Sequence, residues 1–491
     1  MTGKIKHIIL FLFAVLSLNT YAVQPRLTVV IVIDGLRQDN LARLRPYWQQ
    51  GGLRTLAEEA FQTTIGFPHP VYGGNETTAT LMTGELPREH GYAMDSYFLR
   101  TDRQVHKLLE DKSVHGIGTR QALSPRALLA STLTDQLRLS EGKKAKIYAV
   151  GINPETTILL AGHSANACCW INDEELRWAT TSYYDEGLPD EADQMNISGR
   201  FAELAAREWI PRMSIPSYNN PTDEERKKAF SYIQQKVLPL SPVANEIVVE
   251  LALNIQKNKQ LGVDATPDLL LLQMNSLSPK ATSDHIASAE HEDMYLWLNQ
   301  HIGFLMEQLN KRIGKDNYQL LVVGRPILGI GATRLNEAGL NVQQFNVDRM
   351  AALASTYLMA LYGHERWIDG GYGQSIYLNR TLIERKKLSL NEMQKQVATL
   401  LMDFEGVQLA FPALEATHQP DLFPSYTKRC FGDVLFTLQP GWQLMLDNRK
   451  PLDNVIEANP TAPLLFWSGA MRPFPDTQMT ATDLQKLIFD F

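Results

Sequence analysis

The sequence predicts an α/β protein whose central, mostly parallel sheet is buried on both faces. Two observations carry the prediction. Short runs of β-branched and aliphatic residues without polar alternation recur at 27–33, 146–150, 267–274, 318–323 and 463–467. Helical patterns separate them, as at 125–139 and 291–313. Strands apolar on both sides and spaced by helices belong to parallel sheets covered by helices.

The elements follow in order. Lys4 and Lys6, an apolar run from Ile8 to Leu18, and the small residues Thr20 and Ala22 read as a secretory signal over residues 1–22. That run is too short to cross a bilayer, which needs ~20 apolar residues. The expectation is a periplasmic or secreted protein with no transmembrane segment, its mature part being 23–491. Losing Lys4 and Lys6 moves the formal charge from -7 to -9, which argues against nucleic acid as a partner. A hydrophobic share of 44% and a charged share of 21% are ordinary for a large globular chain.

The first strand ends at Asp34-Gly35, and a helical pattern follows it. In parallel sheets ligands gather beyond the carboxyl ends of the strands, which directs attention to Asp34, to 151–155, to 275–282 and to 324–326. Polar, proline-containing stretches and a charged, helix-like piece at 223–236 mark 185–259 as a cap insertion. Residues 374–412 alternate strand, helix and strand and read as a small α/β subdomain. Only Cys168, Cys169 and Cys430 occur. That number excludes a disulfide framework and leaves packed thiols, or one bridge from Cys430.

Several stretches resemble the phosphate-irrepressible alkaline phosphatase group of the alkaline phosphatase and nucleotide pyrophosphatase superfamily. They include Val29 to Arg37 around Asp34-Gly35, Leu81-Met82-Thr83-Gly84 with Pro87 and His90-Gly91, Ser124 to Ala130, and Ala161-Gly162-His163. Further on come Glu292-Asp293-Met294-Tyr295-Leu296, Gly314 to Tyr318, Gly432-Asp433 and Pro463 to Phe466. They fall in the family's order across nearly the whole mature chain. The resemblance implies a three-layer α/β/α fold with cap insertions. It also implies a centre in which two zinc ions, held by aspartates and histidines, activate a threonine or serine nucleophile.

Residue by residue, this sequence departs from that centre. Asp34 matches a family ligand. The nucleophile's place falls on Gly74, beside Asn75. Counting back from Glu292-Asp293, the places of a further aspartate and histidine hold Ser278 and Thr282, and those of an Asp-His pair after the next strand hold Arg325 and Pro326. No histidine follows His418. Where the family's monoesterases grip phosphate with a lysine and an arginine stand Asn153 and Glu155. The place of their phosphate-contacting asparagine falls near Asp95 or Ser96. One carboxylate cannot hold a dication pair, since zinc takes about four ligands, and a carboxylate in the phosphate clamp repels a phosphate dianion.

The sequence therefore points to a catalytically inactive relative, without zinc, that binds or scaffolds in the cell envelope. Its partner, an envelope protein or a small ligand, is unknown. The alternative is a phosphatase or phosphodiesterase with a rearranged site. That reading needs Asp34, Asp284, His285 and His69 to converge, or Thr77 or Thr78 to replace the nucleophile. Bland readings stand beside these: Asp34 as a helix cap, His69 as an exposed loop residue, and His90 and His163 as local hydrogen-bonders.

Overall fold

In a computed structural model, residues 25–279, 288–326, 336, 339, 341–419, 421, 423–446, 450–451, 460–469 and 479–489 are described. The expected signal segment, Thr282, Asp284 and His285 lie outside them.

Among the described residues nine strands form the central sheet: β1 (Leu27–Asp34), β2 (Phe61–Gly66), β3 (Gly116–Ile117), β4 (Ile147–Gly151), β5 (Ala167–Asn172), β6 (Arg177–Thr181), β7 (Asp268–Asn275), β8 (Tyr318–Arg325) and β9 (Thr461–Ser468). Their spatial order is β2-β9-β8-β1-β7-β4-β5-β6-β3. The five strands from β8 to β5 run parallel, and antiparallel strands close both edges. The run at 463–467 belongs to one of these antiparallel additions.

Every residue of β1 is buried, and the strand feeds two cores. Val29, Ile31 and Ile33 face one, and Val30 and Val32 the other. Each such side chain stabilises the fold by about 1.5–3 kcal/mol. The second core lies under α1 (Asn75–Thr83), α2 (Leu133–Glu141) and α3 (Pro154–Ala161). The first lies under α4 (Pro242–Asn258) and α5 (Ala289–Arg312). Layered helices on both faces of a mostly parallel sheet agree with the predicted class.

Two predicted helices are shorter than their patterns. Within 125–139, Pro125–Ala127 forms one 3₁₀ turn and the α-helix begins only at Leu133. Thr132 sets that start, because its hydroxyl accepts from the Asp135 N–H while the Asp135 carboxylate accepts from the Thr132 N–H. Of 223–236, only Asp223–Lys227 is α-helical, opened by a similar box at Thr222. The three cysteines are buried and free, so the Cys430 bridge does not form.

In the segment read as a cap insertion, α4 packs against β7 and α5, and Phe201, Leu204, Trp209 and Tyr218 enter the first core. A second sheet of four strands, Ile368–Tyr372, Ser375–Leu378, Val434–Leu438 and Val407–Pro412, lies in the region of 374–412 and beyond. With α6 (Val347–Tyr362) and the helix Leu390–Leu401 it has a core of its own, from Phe345 to Leu444.

Acids in the first turns of α5 fasten the 208–225 stretch. Asp293 accepts from Trp209 Nε1 at 2.7 Å, Tyr218 Oη at 2.7 Å, Trp297 Nε1 at 3.1 Å and the Arg212 N–H at 3.1 Å. Glu292 accepts from the Asn219 N–H at 2.8 Å and from Asn220 Nδ2 at 3.1 Å. Asp293→Ala orphans several buried donors at once, and each is expensive to leave unmade. The expected outcome is a loss of about 2–4 kcal/mol in urea unfolding, with faster proteolytic cleavage between residues 209 and 220. Unchanged cleavage would show that this carboxylate does not hold the segment.

Candidate functional site

The parallel registers place Asn275, Asp34 and Arg325 side by side at the carboxyl ends of β7, β1 and β8. Side chains at registered positions share a face of the sheet, so Arg325 reaches Asp34 directly. Arg325 Nε donates to Asp34 Oδ1 and Nη2 to Oδ2, each at 2.6 Å, and both side chains are buried. Two parallel charge-assisted bonds of this kind are the strongest geometry available to the pair.

A ring of polar groups completes the arrangement. Gln273 Nε2 donates to Asp34 Oδ2 at 3.0 Å, and its Oε1 accepts from the backbone N–H groups of Ile152 and Asn153 at 2.6 and 2.8 Å. Asn75 Oδ1 accepts from Arg325 Nη1 at 3.0 Å and from the Thr156 hydroxyl at 2.7 Å. Asn75 Nδ2 donates to Asp95 Oδ1 at 2.9 Å, which also accepts from the Tyr92 hydroxyl at 2.9 Å. The sequence-predicted residues Asp34, Asn75, Asp95 and Arg325 thus meet in one network.

The other predicted residues stand around it in structural roles. Gly74 precedes α1 in a left-handed conformation with φ of +97°. Asn153 caps α3 by accepting from the Thr156 N–H at 3.0 Å. Glu155, in the first turn of α3, accepts from Lys107 at 2.6 Å. Ser278 is buried, and its hydroxyl has no partner among the described residues. Thr282 lies outside the described residues.

Two of the bland readings need correction. Asp34 caps no helix. The next helix begins at Gln38 after Arg37, and no side chain caps it; the carboxylate is captured by Arg325 instead. His69 is fully buried, not exposed. Its Nδ1 lies 3.0 Å from the Pro70 carbonyl and must donate to it, so Nε2 accepts from the Thr80 hydroxyl at 2.9 Å. Thr80 in turn receives His90 Nε2–H at 3.1 Å, because His90 Nδ1 is taken by the Tyr92 N–H. Burial lowers both imidazoles, to about 4 for His69 and about 3 for His90. His90 and His163 do bond locally, His163 to Asp135 at 2.7 Å and to the Leu128 carbonyl at 3.1 Å. Thr77 donates to the Gly74 carbonyl, and Thr78 is buried.

Gln273, Thr156 and Glu76 escaped the sequence reading. Gln273 had a signal, as a lone amide near the end of an apolar strand. Glu76 is fully buried in the first turn of α1, where its Oε1 accepts from the N–H groups of Tyr72 and Gly73. Burial, and then the neighbouring charge of Asp95, raise its carboxyl from 4.5 to about 7. Burial also raises Asp95, against the hydrogen bonds it accepts from Asn75 and Tyr92.

These groups do not fit the zinc pair that the family resemblance implies. Around Asp34 stand a guanidinium, two amides and a serine, and both of its oxygens are already held. Among the described residues there is no cluster of three or more His, Cys, Asp or Glu suited to a metal ion.

Two outcomes are expected. Arg325→Met leaves Asp34 buried without its counter-charge and should cost about 3–5 kcal/mol in urea unfolding. Adding Asp34→Leu should recover much of that loss, and a double variant no better than the single one would argue against the pair. Glu76 makes stability depend on pH. Between 4.5 and about 7 the unfolded chain has released a proton that the folded chain keeps, so its contribution weakens as the pH rises through that window and is level above it. Glu76→Gln should flatten urea midpoints measured from about pH 5 to about pH 8; an unaltered slope would contradict the assignment.

Residues 28–462 match the family described as Type I phosphodiesterase / nucleotide pyrophosphatase. The chain is 24% identical over 464 residues to a calcium-transporting ATPase of Myroides odoratus, covering 88% of this chain and 84% of that protein. It is 24% identical over 406 residues to alkaline phosphatase PafA of Elizabethkingia meningoseptica, covering 77% and 73%. A crystal structure of wild-type alkaline phosphatase PafA superposes with a TM-score of 0.79 at 21% identity, over 94% of each chain. That likeness establishes the fold. With the ordered motifs and the sheet already described, the match places this chain in the type I phosphodiesterase/nucleotide pyrophosphatase family.

Proposed function

We propose that this chain is a pseudo-phosphatase, an exported member of its family that keeps the fold, performs no phosphoryl transfer, and serves by binding another molecule in the cell envelope. One observation carries the reading: the Arg325 guanidinium occupies both oxygens of Asp34, the one residue that matches a family metal ligand. A cation fixed there repels a dication, and no carboxylate or imidazole stands at the other matched ligand positions, Ser278, Thr282, Arg325 and Pro326. Gly74, at the nucleophile's place, has no hydroxyl to activate. Lys107 neutralises Glu155 but leaves no cationic clamp at Asn153 and Glu155.

Placement in the envelope rests on the N-terminal signal pattern alone. The partner is an envelope protein or a small ligand. The rearranged-site alternative loses one of its members, since both ring nitrogens of His69 are engaged inside the fold.

The test is metal analysis of the protein purified from its native envelope, together with hydrolysis of an activated aryl phosphate. The expected result is no stoichiometric zinc and a rate equal to that of Asp34→Ala. Stoichiometric zinc with turnover that vanishes in Asp34→Ala would refute the proposal and return the chain to the phosphoric ester hydrolases.

A further inference from the structure

A cavity of about 620 Å³ opens on the surface between the short helix Pro87–His90 and residues 416–429. That size lies in the range of small-molecule sites. Both of its walls hang from the short helix. The Arg88 N–H donates to the Pro424 carbonyl at 3.0 Å, and the His90 carbonyl accepts from the Leu129 N–H at 2.9 Å. Leu129 is 75% exposed, yet its side chain has a fixed course. It lies across Gly91, where a Cβ would stand 2.9 Å from Leu129 Cδ1. Ala127 and Ala416 continue this aliphatic wall, and Phe423 and Tyr426 complete the apolar lining. A single exposed leucine needs no explanation, but one built into the wall of a cavity marks a contact surface.

The polar side of the cavity is cationic. Arg88 is held by Glu89 and, at 3.1 Å, by Asp421. Exposed Lys428 and Arg429 have no carboxylate partner among the described residues. The Arg429 guanidinium lies 4.7 Å over the Tyr97 ring, a contact that positions the cation without cancelling its charge. Beside them the Thr427 hydroxyl accepts from the Cys430 N–H at 3.1 Å, so its own hydrogen remains to donate. Three consecutive residues thus offer donors to an oxyanion, and two of them are positive. We propose that this cavity binds a single-chain anionic amphiphile, an oxyanion head on an aliphatic tail. The head is taken by Thr427, Lys428 and Arg429, and the tail by Leu129, Phe423 and Tyr426. Phe423 already packs on Phe411 with centroids 4.5 Å apart, and Tyr426 on Phe431 at 6.0 Å. With both rings engaged inside the protein, a flexible chain suits the remaining wall better than a flat ring that must stack. The cavity shares no residue with the Asp34 and Arg325 network, so the proposal stands whether or not the chain hydrolyses phosphate esters.

Calorimetric titration of the mature protein with dodecanoate, kept below its micellar concentration, should show one site with a Kd below about 1 mM. Dodecanoate has no ester to cleave, so the result is independent of any phosphatase activity. Lys428→Glu and Leu129→Asp should each weaken binding about tenfold. Neither should move the melting temperature of the free protein, because both residues are exposed. Lys143→Glu, at an exposed lysine beyond the C-terminal end of α2, should leave the affinity unchanged. Acetate, which lacks the tail, and dodecyltrimethylammonium, which reverses the charge of the head, should bind about tenfold more weakly or less. No binding of dodecanoate in that range, equal affinity for the cationic amphiphile, or an affinity indifferent to Lys428→Glu or to Leu129→Asp would each overturn the proposal. An equal loss in Lys143→Glu would do the same. So would binding to phosphatidylglycerol vesicles that Lys428→Glu abolishes while dodecanoate stays unbound, which would make this face a membrane contact instead.

Discussion

The carboxyl ends of β1 and β8 are organised by one requirement, that a buried guanidinium and a buried carboxylate must each find all their partners. Taking such ions out of water costs several kcal/mol apiece, and their attraction repays this only with excellent geometry and further hydrogen bonds. The two 2.6 Å bonds between Arg325 and Asp34 meet the first condition. Gln273, Asn75 and Thr156 meet the second, and in doing so they tie β7, α1 and α3 to the sheet centre. The place where such sheets usually receive a ligand is thereby filled by the protein's own charges.

That filling reaches into the neighbouring helix. Asn75 is oriented by Arg325 on one side and Asp95 on the other. A Cβ on Gly73 would stand 2.5 Å from Asp95 Oδ2, so the loop before α1 is shaped to this carboxylate. Glu76, one residue further along, satisfies the backbone of the same loop. Behind it the Thr80, His69 and His90 chain is closed at both ends by backbone groups. The residues entering α1 are fixed by buried polar bonds, which specify one arrangement where apolar packing would allow several.

The fold was legible because parallel strands announce themselves: an eight-residue strand buried on both faces, such as Leu27–Asp34, needs an unbroken apolar run. Helix starts were less so. Thr132 and Asp135 form a capping box that overrides the helical pattern continuing back to Pro125. At the site, counting along family motifs located Asp34, Asn75, Asp95 and Arg325. It could not foresee that Arg325 would close on Asp34, because that contact depends on the registers of strands almost three hundred residues apart. Asp34 was read as a cap and His69 as exposed for the same reason. Local pattern describes a residue's neighbours in sequence, and both side chains are used by residues distant in the chain or across a turn.

The backbone at Gly74 carries a consequence for substitution. At φ of +97° a residue with a Cβ is strained, by about 1–3 kcal/mol where the conformation is sparsely populated. A hydroxyl-bearing side chain introduced there by one mutation would carry that penalty with the Arg325–Asp34 pair still in place. Position 74 is thus closed to side chains by its own backbone, and a hydroxyl enters the loop before α1 only at the expense of the turn that starts the helix.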